Sequence, residues 1–313
     1  MPFAPVPQAF KSSLKEVVIG AGESAVALGG ENVLPLYSFD APIKNRPKVG
    51  IEISDLGPDR SLPELAKFYE GASSAAELAA RACAAPGADF VCLWLEGADP
   101  NGEDRDVADC VKICREVAEA SPLPLAVQGC GSPDKDARLF EKIAEALQGR
   151  NVLLLSAKEE NYKGIAVAAV TAYGQKIAAE SSVDINLAKQ LNVLISQLGI
   201  AGDSTVMHLG ASAAGYGFEY IASTTDRVRL AALAQNDAAL QMPVIAPVAA
   251  DAWSVKESVM SEDEFPEWGP VERRGADMEI CTASAMIAAG ANAVIVRHPR
   301  SAAAVAELIS ALL

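Results

Sequence analysis

The chain has 313 residues, with 26 Lys and Arg against 41 Asp and Glu, a formal charge of −15. So acidic a chain is repelled by nucleic-acid phosphates, and a composition that is 50% hydrophobic and 21% charged supplies a core rather than a disordered tail. No apolar run reaches the roughly 18 residues of a membrane span, and the opening MPFAPVPQAFKSS lacks the basic and apolar regions of a secretory leader, so the expected location is the cytoplasm.

Positions 1–47 differ from the rest. Two short β-type runs, KEVVIG and SAVALGG, flank Ala21, Gly22 and Glu23, which predicts a hairpin in an N-terminal extension that caps a main domain over 48–313. After APIKNRPK, apolar runs alternate with helix-period segments, the pattern of βα units. The first four runs are VGIEIS (49–54), FVCLWLE (90–96), LPLAVQG (123–129) and VLLLSA (152–157). Their nearly continuous apolar character suits parallel strands buried on both faces. The segments SSAAELAARACAA, DVADCVKICREVAEA and DKDARLFEKIAEALQ each open on Ser or Asp, residues that accept hydrogen bonds from free N–H groups at a helix start.

YKGIAVAAVTAYG has the apolar density of a strand, but Asn161 before it, Gly174 at its end and the alternation of units predict a helix. KIAAES (176–181) is then the fifth strand, followed by a helix from the N-cap Asp184 to a stop at Gly199. The sixth unit is STVMHLG (204–210) with FEYIASTTDRVRLAALA, the seventh strand is PVIAPVAA (243–250), and the eighth unit is AVIVRHP (293–299) with SAAAVAELISALL. Eight βα units predict an α/β fold, a (β/α)8 TIM barrel with an N-terminal β-hairpin extension. An open doubly wound sheet is the alternative, but IEISDLGP stands where that fold carries G-x-G-x-x-G.

Function in such barrels gathers where strands end at their C-termini. The polar residues there are Glu52, Ser54, Asp55 and Glu96, then Gln128, Ser156, Glu180 and Ser181, then His208, Ser212, Asp251, Trp253, Arg297 and His298. The same residues also serve ordinary loop and helix-end hydrogen bonding. Both histidines, His208 and His298, fall in this set; His298 precedes Pro299, which suits a turn residue as well as a functional one. No G-x-S-x-G, P-loop or H-E-x-x-H occurs. The six cysteines form no C-x-x-C, and Cys110 and Cys114 lie on the apolar stripe of their helix, so they read as buried thiols rather than metal ligands. Gly215 and Gly217 could bring N–H groups to an anion or serve only the backbone path.

The strings ALGGENVLPLYSFDAPI, ENYKGIAVAAVTAYG, ESSVDINLAKQLNVLI, QMPVIAPVAADAWSVKES and WGPVERRGADMEICTASAMIAAGANAVIVRHP closely resemble the small subunit of the corrinoid iron-sulfur protein. That family also occurs as the delta-type subunit of acetyl-CoA decarbonylase/synthase complexes. The resemblance implies a barrel paired as a heterodimer with a large subunit that holds the corrinoid (cobalamin) and a [4Fe-4S] cluster. The barrel caps the corrin while a methyl group passes from a methyltetrahydrofolate:corrinoid methyltransferase to acetyl-CoA synthase in the Wood-Ljungdahl pathway of carbon fixation. It implies no metal ligand and no catalytic residue in this chain. The corrin-facing surface is expected on the loops after strands five to seven, at Ser181, Asp184, Asn186, Ser212, Tyr216, Asp251 and Trp253, with polar groups meeting corrin amides and Trp253 covering an apolar edge. One departure stands out, since His208, Leu209, Gly210, Ala211 and Ser212 replace the family's Asp-Pro-Thr-Thr-Gly-like turn.

Two other readings compete. An autonomous methyltransferase would bind pterin in the barrel mouth, but needs Asp and Asn at strand ends, where Asp55 and Asp251 make an incomplete set. A Schiff-base aldolase would need Lys158 neutral, whereas Glu159 and Glu160 beside it favour the ammonium.

Overall fold

The computed structural model describes residues 6–313, so the first five residues of the 1–47 extension lie outside the described residues. Strands β1 (Glu16–Ile19) and β2 (Val26–Gly29) pair antiparallel, with Glu16 opposite Gly29 and Ile19 opposite Val26. Gly22, at φ +68°, takes the left-handed conformation that the turn between them requires.

The barrel follows in chain order as β3 (Lys48–Ser54), α1 (Pro63–Phe68), α2 (Ala75–Ala82), β4 (Phe90–Trp94), α3 (Val107–Ala120), β5 (Leu125–Gln128), α4 (Pro133–Ala146) and β6 (Leu153–Ala157). Next come α5 (Tyr162–Ile165), β7 (Lys176–Glu180), α6 (Ile185–Gln197), β8 (Thr205–His208), α7 (Phe218–Leu233) and β9 (Ile245–Pro247). The chain ends with α8 (Ala249–Ala252), α9 (Lys256–Val259), α10 (Val271–Ala289), β10 (Ala293–Val296) and α11 (Pro299–Leu312). The eight barrel strands lie parallel in the order β8-β7-β6-β5-β4-β3-β10-β9. A single bridge between Met207 and Val244, with Met207 N donating to Pro243 O at 2.8 Å, joins the two ends. This is the TIM barrel that the alternation of apolar runs predicts.

Side chains alternate across each strand. Phe90, Cys92, Leu153, Leu155, Val206 and Ile295 fill the barrel interior, while Val49, Ile51, Val91 and Leu93 pack outward among helix residues. Small residues make room for large ones, and a Cβ on Gly50 would stand 2.4 Å from the Phe90 ring. The hairpin closes the floor, with Val17, Ile19 and Leu28 joining the interior cluster. Asn151 Nδ2 anchors it by donating to Val18 O at 2.8 Å and Gly20 O at 2.9 Å.

Several local details differ from the sequence reading. The Ser74 capping box and the Asp106 and Asp184 caps form, but α4 starts at Pro133, with no side-chain cap from Ser132. Asp134 caps nothing there, because the fixed φ of Pro133 already sets the first turn. Asn161 also makes no cap. Its Oδ1 accepts Lys158 N at 2.8 Å, and α5 runs on as a π-helix over Ala166–Ala172. The seventh strand is shorter than 243–250, because α8 begins at Ala249.

Helix α10 braces the last strand. The Glu279 carboxylate, fully buried, accepts Arg297 N at 2.6 Å and His298 N at 3.1 Å. Burial pushes this carboxyl up to about 7, against the pull of those N–H groups. The folded state therefore holds a proton that the unfolded chain releases from about pH 4.5, so stability falls as pH rises between that value and 7, by up to about 3 kcal/mol. Glu279→Gln, neutral throughout, is expected to flatten this slope. Urea midpoints at pH 5 and 7 check it, and an unchanged slope would contradict the assignment.

Candidate functional site at the mouth of the barrel

At the C-terminal rim the inward-facing positions change from apolar to polar. Gln128, Glu180 and His208 end β5, β7 and β8, and with Ser156, Lys158 and Asp251 they line a cavity of about 340 Å³. Glu180 and His208 are register partners on adjacent strands. Lys158 Nζ stands 3.3 Å from Glu180 Oε1, an ion pair that keeps its ammonium engaged and argues against the Schiff-base role.

Burial opposes ionisation of Glu180, but His208, the Ser156 hydroxyl and Lys158 outweigh it and hold the carboxyl below its usual range. Burial pulls the His208 imidazole down, with the Lys158 charge adding to it and Glu180 and Asp251 opposing. His208 Nδ1 accepts Gly210 N at 3.1 Å, which leaves Nε2 as the protonated nitrogen of the neutral ring. Burial raises the Asp251 carboxyl, opposed by His208. Gln128 Oε1 and Ser181 Oγ are buried without a partner among the described residues.

One wall is the loop Gly129–Gly131, held by Asp136. Its carboxylate accepts Cys130 N at 2.8 Å and Gly131 N at 3.0 Å, and a Cβ on Gly129 would stand 2.3 Å from Asp136 Oδ1. Burial pushes the Cys130 thiol up to about 11, so it faces the mouth as a thiol. Burial likewise pushes Cys110 up to about 11, and Cys114 is raised for the same reason. Among the described residues no group of three or more His, Cys, Asp or Glu is placed to hold a metal ion, and no helix is long and apolar enough to cross a membrane.

Of the seven residues expected to face a corrin, Asp251 lines the mouth. Ser181 lies 2% exposed behind it, its N–H donating to His208 O at 2.9 Å. Ser212 and Tyr216 stand on the rim. Ser212 Oγ donates to Tyr216 O at 2.5 Å, and the exposed Tyr216 hydroxyl donates to Glu257 Oε2 at 2.5 Å. The other three are placed elsewhere. Asp184 caps α6 by accepting Asn186 N at 2.7 Å, and Asn186 faces a groove between α6 and α7 on the barrel flank. Trp253 is 9% exposed, set in a notch where a Cβ on Gly275 would touch its ring, and stacked on His298 at 6.1 Å.

His298 is structural. Its Nδ1 accepts Arg300 N at 3.2 Å at the start of α11, and its Nε2 lies 3.2 Å from Glu272 Oε1. Gly215 and Gly217 hold φ of +85° and +87°, which gives the pair a conformational reason. The mouth residues Gln128, Ser156, Glu180 and His208 were visible as strand ends but not as a set. The two-residue alternation counted inward from the core positions selects Gln128, Glu180 and His208. Ser156 escapes that count, since the β6–β7 register shifts between Leu154 and Ala157.

Residues 16–304 match the family model of the CO dehydrogenase/acetyl-CoA synthase delta subunit. The chain is 32% identical to the acetyl-CoA decarbonylase/synthase complex subunit delta of Archaeoglobus fulgidus, over 99% of this chain and 71% of that protein. It is also 32% identical to the corresponding subunit of Methanothermobacter thermautotrophicus, over 98% of this chain and 77% of that protein. Among solved structures, dihydropteroate synthase of Xanthomonas albilineans with 4-aminobenzoic acid superposes with a TM-score of 0.57 at 15% identity, over 95% of this chain and 97% of the other. The Yersinia pestis enzyme with a pterine-sulfa conjugate gives 0.55 at 15% identity, over 85% and 93%. At such identity the likeness concerns the fold alone.

Proposed function

Because the chain belongs to the CO dehydrogenase/acetyl-CoA synthase delta subunit family, we propose that it is the barrel subunit of a heterodimeric corrinoid iron-sulfur protein. In this reading a large partner subunit carries the corrinoid and the [4Fe-4S] cluster, and the barrel mouth covers the corrin. The observation that carries the reading is the polar mouth, which Gln128, Ser156, Glu180, His208 and Asp251 line. An acceptor covered by a ligand and left unpaired costs about 1–3 kcal/mol, and the carboxamide N–H groups at a corrin periphery are donors suited to the Gln128 and Asp251 side chains.

When bound, the corrinoid supplies the cobalt centre that accepts and gives up the methyl group. The chain's own residues bind and orient. Gln128 and Asp251 accept from amide N–H groups, His208 offers Nε2–H to amide carbonyls, and the Glu180–Lys158 pair keeps the wall polar without net charge. The exposed Tyr216 and Tyr220 on the rim exclude water at the edge of the contact. Neither a proton transfer nor a covalent step is assigned to this chain. A methyltetrahydrofolate:corrinoid methyltransferase and acetyl-CoA synthase are the proposed donor and acceptor partners, in the cytoplasm.

Anaerobic purification through a tag on this chain, from its native host, tests the reading. The expected result is a stoichiometric larger chain bearing cobalt and iron, with Gln128→Leu lowering cobalt retention about fivefold, the worth of one hydrogen bond. A metal-free chain that elutes alone and binds methyltetrahydrofolate would overturn it in favour of the pterin-binding methyltransferase.

A further inference from the structure

At the C-terminal ends of β10, β3 and β4 lies a second cavity, of about 420 Å³, which shares only Trp94 and Ala250 with the mouth. Its volume falls within the range of small-molecule sites, and Leu56, Leu65 and Leu78 give it an apolar wall. Counted from Cys92 and Ile295 in the barrel interior, the two-residue alternation turns Glu52, Ser54, Trp94 and Arg297 inward here. The Tyr69 hydroxyl and Trp253 Nε1 are sealed off from the cavity, so a ligand meets its charged groups instead. Three carboxylates, those of Glu52, Asp59 and Glu96, line it with one guanidinium, that of Arg297. Glu52, 2% exposed, receives Arg297 Nε at 2.9 Å and Nη2 at 2.7 Å on Oε1 alone. Its Oε2 accepts nothing among the described residues, yet is not sealed. Glu96 receives the Ser54 hydroxyl at 2.6 Å on Oε2, and its Oε1 likewise stays open.

Burial opposes the Arg297 charge, but Glu52, with Glu279 and Glu96 adding, holds the guanidinium above its usual range. Arg297 also lies over the Trp94 ring, 5.8 Å from its centroid. The guanidinium is thus engaged already, and the carboxylates around it keep an excess of negative charge. An anion would be repelled by that excess, and a neutral amide would leave it uncompensated. A bare metal ion finds no group of three His, Cys, Asp or Glu placed to hold it among the described residues, and makes no use of the apolar wall. We propose that this cavity binds a small organic cation, an amine or amidinium whose N–H groups are donated to the open oxygens of Glu52 and Glu96 while its apolar body rests on Leu65 and Leu78. Hydrogen bonds between two ionised groups are about twice as strong as neutral ones, which selects the cation over its neutral analogue. The site stands apart from the corrin-facing reading and does not need it.

The test uses the Trp94 indole N–H as reporter in proton-nitrogen spectra of the labelled chain, which holds three tryptophans; Trp94→Phe identifies the signal. Benzamidine at millimolar concentration is expected to shift the Trp94 signal and leave that of Trp268 in place. Benzamide and benzoate, of the same shape, are expected to bind at least tenfold more weakly. Glu96→Gln, which removes the charge and can still accept the Ser54 hydroxyl, is expected to weaken benzamidine about tenfold, the worth of one hydrogen bond to a charged group. The same titration on the native complex distinguishes the sources of the cation, since binding that the complex loses would give the cavity to a cationic side chain of a partner and overturn the small-molecule reading. An unmoved Trp94 signal, benzoate binding as well as benzamidine, or an unchanged affinity in Glu96→Gln would each overturn the proposal.

Discussion

A chain carrying Ile19→Asp is expected to fail to accumulate as folded protein, and Ile19→Ala to lose about 2–4 kcal/mol of unfolding free energy. Ile19 is fully buried and belongs, with Val17 and Leu28, to the cluster that fills the barrel interior. A carboxylate there would find no partner among Phe90, Ala126, Leu153 and Val206. Its desolvation costs several kcal/mol, as much as the whole stability of an ordinary domain of about 5–15 kcal/mol. The hairpin is thus the floor of the core rather than an ornament. Urea denaturation followed by circular dichroism measures the Ala variant, and a loss below about 1 kcal/mol, the level of a surface change, would show that the floor is dispensable.

Arg229→Met is expected to cost about 3–5 kcal/mol, the loss seen when one member of a buried ionic network is removed. Arg229, 2% exposed on α7, donates Nε to Gly290 O at 2.9 Å, and its Nη2 bonds both Gly290 O and Asn292 Oδ1. Asn292 continues the network, with Nδ2 donating to Glu31 Oε1 at 2.5 Å and Oδ1 accepting Val244 N at 3.0 Å. Burial pulls the guanidinium down to about 10, while the Glu31 charge opposes the shift. The network ties the segment after the hairpin to the place where β9 and β10 enter the barrel. Adding Glu31→Gln to Arg229→Met removes the stranded charge and is expected to restore about 1–2 kcal/mol. Strictly additive losses in the double-mutant cycle would break the link between the two residues.

The order of the eight units was readable because each rests on a local signal. A nearly continuous apolar run such as VLLLSA can be buried only between two layers, and Ser74, Asp106 and Asp184 announce helix starts within three residues of their own backbone partners. The failures were local as well. Asn161 can bond Lys158 N instead of a helix end, and Pro133 can begin a helix without a cap; neither choice is visible until the neighbouring loop has a position.

The candidate site was legible only in part. Asp184 and Asn186 were placed near a ligand by their position after a strand, yet one spends its carboxylate on the α6 cap and the other faces the flank. Trp253 follows β9 closely, but the Gly275 notch on α10 draws its ring inward, because an indole gains more from burial than from the rim.

The barrel class, the hairpin, most helix starts and the family rest on periodicity and on strings of contiguous residues, which are legible before the chain has a shape. That Val17, Ile19 and Leu28 plug the floor, that Gln128, Glu180, His208 and Asp251 share one mouth, and that Glu52, Tyr69 and Trp253 line one cavity follows from the folded arrangement. Closing the sheet sets which strand ends become neighbours and which side chains lose water. Hydrogen-bond partnership and charge depend on that neighbourhood, and no local pattern encodes it.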